Sequence, residues 1–152
     1  MKTLNKWRKF LSMDTDRMLI LIEAFIYLGC ARMLVLLPFK MISPSLGHYM
    51  QETPQMDDTL DRASIKKVSY AVHTMSRHTI WDSKCLVRAI AGMKMLRRRH
   101  IESTLYLGTA REKSGEMAAH AWLRSGDFYI TGAEEMKRFT VVGKFAKTVH
   151  RP

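Results

Sequence analysis

Apolar residues recur at two different periods along this chain. Up to about residue 100 they fall three and four apart, and beyond it they alternate. Asp14, Thr15 and Asp16 supply caps and negative charge for a helix that runs to about Leu37, where Pro38 stops it. Pro44 and Gly47 predict a loop in the next stretch. Pro54 and the acidic pair Asp57-Asp58 open another helix, about Thr59–Arg77, in which Ile65, Val68, Val72 and Met75 keep helical spacing. Ser83 has the hydroxyl of an N-cap, so a helix is predicted over about Lys84–Arg99. Cys85, Ala89, Gly92 and Leu96 share one face of it, with Lys84, Arg88 and Arg98 pointing elsewhere. Ahead of all these, residues 1–13 set Trp7, Phe10 and Leu11 among basic residues, as a short amphipathic helix would.

After His100 the period becomes two. Thr104–Thr109, Met117–Arg124, Phe128–Thr131 and Phe139–Val142 read as strands, with turns at Ser114-Gly115-Glu116 and Ser125-Gly126-Asp127. The expected fold is therefore α+β: N-terminal helices, then a Cys-bearing helix packed on an antiparallel sheet. No internal repeat or low-complexity linker interrupts it. The chain reads as a single domain over 1–152, with a helical N-terminal part at 1–78 and a core at 79–147.

Composition narrows the partners. The chain has 152 residues, 47% of them hydrophobic, enough to build a real core. A net charge of +11 and a pI near 10.0 favour an acidic partner: a peptide, a protein, nucleic acid or a lipid surface. The basic residues are dispersed, apart from Arg97-Arg98-Arg99 and a basic tail, and no zinc-finger or RNA-binding signature accompanies them. A solvated basic face is the expected reading, with no nucleic acid. Met18–Leu37 is the one transmembrane candidate. Glu23 and Arg32 within it would be costly in a bilayer, so a buried or peripheral helix is expected, with no transmembrane segment and no secretory signal.

The two cysteines, Cys30 and Cys85, make no disulfide framework in a domain of this size, which fits a reducing cytoplasm. The six histidines form no pair at ligand spacing with Cys or carboxylate clusters, so no metal and no cofactor is expected. Cys30 lies in an apolar run and reads as core. Cys85 is different, because a thiol at a helix start faces unpaired N–H donors and the positive end of the dipole, which favour thiolate. His120, in Ala119-His120-Ala121-Trp122, sits on an alternating run that could hold a partner base rigidly. A Cys opening a helix and a His on a later strand is an arrangement used for acyl transfer.

An ordered set of motifs makes the reading more specific. Pro38-Phe39-Lys40 with Leu46-Gly47, Cys85-Leu86-Val87-Arg88-Ala89, Leu96-Arg97-Arg98-Arg99-His100-Ile101, Leu105-Tyr106-Leu107-Gly108, Ala119-His120-Ala121-Trp122-Leu123-Arg124 and Phe139-Thr140-Val141-Val142 follow one another across about residues 34–146. This set resembles the lasso-peptide biosynthesis leader peptidases, cysteine proteases with a transglutaminase-like core. The resemblance implies removal of a leader from a ribosomally made precursor peptide. A separate ATP-dependent cyclase would then join the freed amine to an Asp or Glu side chain. Many relatives carry a leader-recognition domain of winged-helix type. Residues 1–60 show no three-strand pattern for one, which matches the split form served by a separate small leader-binding protein.

The resemblance places Cys85 and His120 as the catalytic pair, and Trp122, sharing a strand face with His120, is expected to wall the site. Many relatives also carry an Asp on the strand after the His, at the position this chain fills with Gly132. Asp127 is set at a turn, about 20 Å from His120 at ~3.3 Å per strand residue, too far to orient the ring. Glu134, on the face parity of Gly132, or a backbone carbonyl remains for that role. Two rival readings stand beside it: amide transfer to another amine by the same residues, and a non-catalytic adaptor that binds nucleic acid or membrane through the basic surface and does not need Cys85.

Overall fold

The computed structural model describes residues 14–149 together with Leu4 and Arg8. The amphipathic helix expected in 1–13 lies outside the described residues, apart from Leu4 and Arg8, both helical and exposed. The elements in chain order are α1 (Thr15–Leu34), α2 (Phe39–Leu46), β1 (His48–Tyr49), α3 (Arg62–Ser76), α4 (Cys85–Arg98), β2 (Ser103–Arg111), β3 (Met117–Ser125), β4 (Phe128–Thr131), a 3-10 turn (Met136–Arg138) and β5 (Thr140–Lys147). The strands form one antiparallel sheet in the order β1-β5-β2-β3-β4. This is the α+β architecture that the change of period predicts.

Helical spacing decides what is buried. Leu21, Ala24, Leu28 and Ala31 of α1 meet Ile65, Val68 and Val72 of α3, and Ala89, Ile90 and Leu96 of α4, in one core with Leu105, Ala121, Leu123, Ile130 and Phe145 of the sheet. Gly92 is what lets α4 lie this close. A Cβ there would stand 3.0 Å from the Leu123 side chain and 3.5 Å from Ile130. Glu23 of α1 is held by both terminal nitrogens of Arg99 at 2.7 Å, tying α1 to the end of α4. Asp61 caps α3, accepting from the Ser64 N–H at 3.0 Å, which starts that helix at Arg62.

Strand alternation sends Ala121 and Leu123 of β3 toward the helices and His120, Trp122 and Arg124 to the other face of the sheet. On that second face Tyr106 stacks on Trp122, with centroids 5.5 Å apart and planes 9° apart. The buried Arg124 donates to the Tyr106 hydroxyl at 3.0 Å and to the Thr53 carbonyl at 2.9 Å. The Tyr106 hydroxyl donates in turn to Glu52. These bonds fasten the segment around residues 52–54 onto the sheet.

Two expectations fail. Phe39–Leu46 is a helix, although Pro44 sits inside it. Proline lacks the N–H that would bond the Lys40 carbonyl, and the Ser43 hydroxyl bonds that carbonyl instead at 3.5 Å. Cys30 is exposed rather than core, because α1 is apolar on both sides and only one side packs inward. No helix among the described residues is long and apolar enough to cross a membrane.

Candidate active site

Cys85 is the first residue of α4, and its N-cap is Lys84. This corrects the expected cap at Ser83, whose hydroxyl is taken by the Thr79 hydroxyl at 2.8 Å. Thr79 also donates to the Trp81 carbonyl at 3.0 Å, so the loop before α4 is knitted to itself. Trp81 anchors it on α1, 5.1 Å from the Phe25 ring. A lysine has no acceptor to offer, and no side chain caps this helix. The first helical bond runs from the Arg88 N–H to the Lys84 carbonyl at 3.0 Å, which leaves the N–H groups of Cys85, Leu86 and Val87 ahead of it. The thiol thus stands beside open donors at the positive end of a 14-residue helix. Arg88, one turn on, is half-buried with its Nε unpartnered rather than turned to solvent.

His120 is buried on β3, with its Nε2 2.8 Å from the Gly132 carbonyl oxygen. A carbonyl can only accept, so Nε2 carries the proton and the neutral ring keeps Nδ1 unprotonated. The ring packs near Trp122, centroids 5.8 Å apart, and Phe139, 5.0 Å apart. Trp122 and Phe139 thus both lie against the imidazole, and the Phe139 contact is one the strand pattern alone does not reveal.

Gly132 has a φ of +76°. A Cβ there would stand 2.6 Å from the Ala121 carbonyl oxygen and 2.9 Å from the Trp122 Cβ. With this backbone no side chain fits, so a carboxylate cannot occupy the position and the main-chain carbonyl faces His120 instead. Asp127 sits in the β3–β4 turn against Arg62, 3.3 Å away, and does not reach the ring. Glu134 is exposed and makes no hydrogen bond or ion pair among the described residues.

The helix start and the histidine stand at the same end of the sheet. α4 reverses into β2 and β2 into β3, so α4 and β3 run in one direction. From the Gly92–Leu123 contact, seven residues back to Cys85 at 1.5 Å each and three back to His120 at 3.3 Å each both cover about 10 Å. β4 pairs only with Leu123–Ser125, so among the described residues β3 has no strand beside His120 on that side. The thiol borders the helical core and the imidazole projects from the opposite face, with no hydrogen bond between them.

A protein-family model described as the transglutaminase-like superfamily matches residues 33–144. The chain belongs to this superfamily. No curated protein and no solved structure matches it. Transglutaminase-like proteins are typically cysteine-dependent enzymes of the protease or transferase kind, and the matched span takes in α4 with Cys85, β3 with His120 and the Gly132 carbonyl.

Proposed function

We propose that this transglutaminase-like chain is a cysteine peptidase that removes the leader from a lasso-peptide precursor. The observation that carries the reading is the Nε2–Gly132 carbonyl bond at 2.8 Å, which leaves Nδ1 as the free base of His120. The uncapped start of α4 at Cys85 supports the other half of the pair. For the reaction the thiol must reach Nδ1 around the edge of β3 beside His120, since thiol and imidazole lie on opposite faces of the sheet. Nδ1 takes the thiol proton and the sulfur attacks the carbonyl of the leader's last residue. The N–H of Cys85 holds the developing oxyanion, a contribution of ~3 kcal/mol for such a donor. The C–N bond then breaks as Nδ1–H protonates the leaving amine, and water cleaves the thioester to release the leader and regenerate the thiol. Gly132 orients the ring through its carbonyl, and Trp122 and Phe139 pack against it.

The remaining assignments belong to the same proposal. Residues 79–147 form the catalytic part and 1–78 the helical part of a single cytoplasmic domain. A separate small leader-binding protein delivers the precursor, and an ATP-dependent cyclase consumes the freed amine. The test is a cleavage time course on the full precursor, followed by mass spectrometry, with and without the leader-binding protein and with an added primary amine. Leader ending in a free carboxylate, released faster with the partner, is the expected result. An amide adduct on the leader would assign amine transfer, and equal rates with and without the partner would overturn the split arrangement.

A further inference from the structure

The outward side of α1 is an exposed apolar surface that the proposed site does not use. Leu19, Ile22, Ile26, Met33, Leu36 and Leu37 fall three, four or seven positions apart and run down one side of the helix and its final turn. Leu19 is 56% exposed, Ile26 57%, Met33 67% and Leu36 62%, while the opposite side of α1 is already spent in the core. An apolar stripe of this extent marks an interaction surface.

Charge identifies the occupant. The acidic residue within the stripe's span, Glu23, is neutralised by Arg99 at 2.7 Å and by Arg98 at 3.7 Å. Arg98 itself edges the groove formed by Leu19, Ile22 and Ile26, with its side chain 65% exposed. The sequence before α1 supplies Lys2, Lys6, Arg8 and Lys9 with Trp7 and Phe10, and the whole chain carries +11. A second copy would bring two such charges together, whereas an anionic lipid surface is complementary to both the apolar and the basic parts. No described helix is long and apolar enough to cross a bilayer, so a membrane contact through α1 would lie in the interface plane.

We propose that the outer face of α1 docks this protein on anionic membranes, independently of the peptidase reading. Cys30 lies on the same stripe and is exposed, which gives a local probe. In a Cys85→Ala background, Cys30 is labelled with an environment-sensitive dye. The protein is then mixed with vesicles of phosphatidylcholine alone, or of phosphatidylcholine with a phosphatidylglycerol minority. The expected result is co-sedimentation and a blue shift with the anionic vesicles only, weakened by salt. Replacing Ile22 and Ile26 together with Ser should lower partitioning at least about tenfold without changing the melting temperature, while Met56→Ser, exposed elsewhere, should not. Absence of vesicle binding would overturn the proposal. So would equal binding by the double variant, which would assign the contact to basic residues alone, or a concentration-dependent dimer that the double variant abolishes without any vesicle binding.

Discussion

At Gly132 the chain has no side chain, and its main-chain carbonyl faces the imidazole of His120. The carbonyl meets His120 Nε2 at 2.8 Å, and the left-handed backbone there excludes any Cβ. A neutral acceptor fixes the ring tautomer as a carboxylate would, but stabilises the imidazolium less. On this reading Glu134→Gln and Asp127→Asn change kcat/KM by less than about twofold, since neither carboxylate touches the ring. His120→Ala lowers it ~100-fold or more, the ordinary cost of losing a general base. NMR of the imidazole nitrogens should show the proton on Nε2 in the unmodified protein. A large loss for Glu134→Gln would make that carboxylate the orienting group instead. The sequence showed that Asp was missing at this position. It could not show the replacement, because a carbonyl has no residue type.

Among the elements, α4 carries the proposed nucleophile at a start that no side chain caps. A cap would stabilise the helix and also engage the donors beside Cys85. Lys84→Ser should therefore raise stability by about 1 kcal/mol, a typical N-cap gain, while slowing peptide cleavage severalfold as its hydroxyl takes the Leu86 or Val87 N–H and weakens the positive field at the Cys85 sulfur. Thermal melts and initial rates check the two together. Higher stability with an unchanged rate would separate the open helix start from catalysis. The strands and the helix carrying Cys85 were legible from periodicity, as were Ile65, Val68 and Val72 as core. Phe39–Leu46 was hidden by Pro44, since a proline inside a helix survives only where tertiary packing and a local hydroxyl compensate. Two-residue β1 is too short for any period to reveal. Ser83 had the right chemistry for a cap, but the competing Thr79 hydroxyl captured it.

For the molecule as a whole, the sheet joins two faces with different cements: apolar packing against the helices, and the Arg124–Tyr106–Glu52 chain on the other side. Burial, and then the bond to Glu52, push the Tyr106 hydroxyl up to about 12. The folded state thus keeps a proton that the unfolded chain loses near 10, so the stability this supplies is complete below pH 10 and disappears as pH rises toward 12. Denaturant melts across that interval should show a steeper fall for the unmodified protein than for Tyr106→Phe. Parallel lines for the two would detach the phenol from alkaline stability. Which side of α1 faces the core could not be read from sequence, because both sides are apolar, and Cys30 was misplaced for that reason.

The central claim is that Cys85, not Cys30, is the nucleophile. The most direct measurement is the rate of leader release from the full precursor, by mass spectrometry, for Cys85→Ala and Cys30→Ala side by side with the unmodified chain. Release should fall to background for Cys85→Ala with the melting temperature preserved, and stay within about twofold for Cys30→Ala, whose thiol is on the surface of α1. Undiminished release by a folded Cys85→Ala protein would contradict the account.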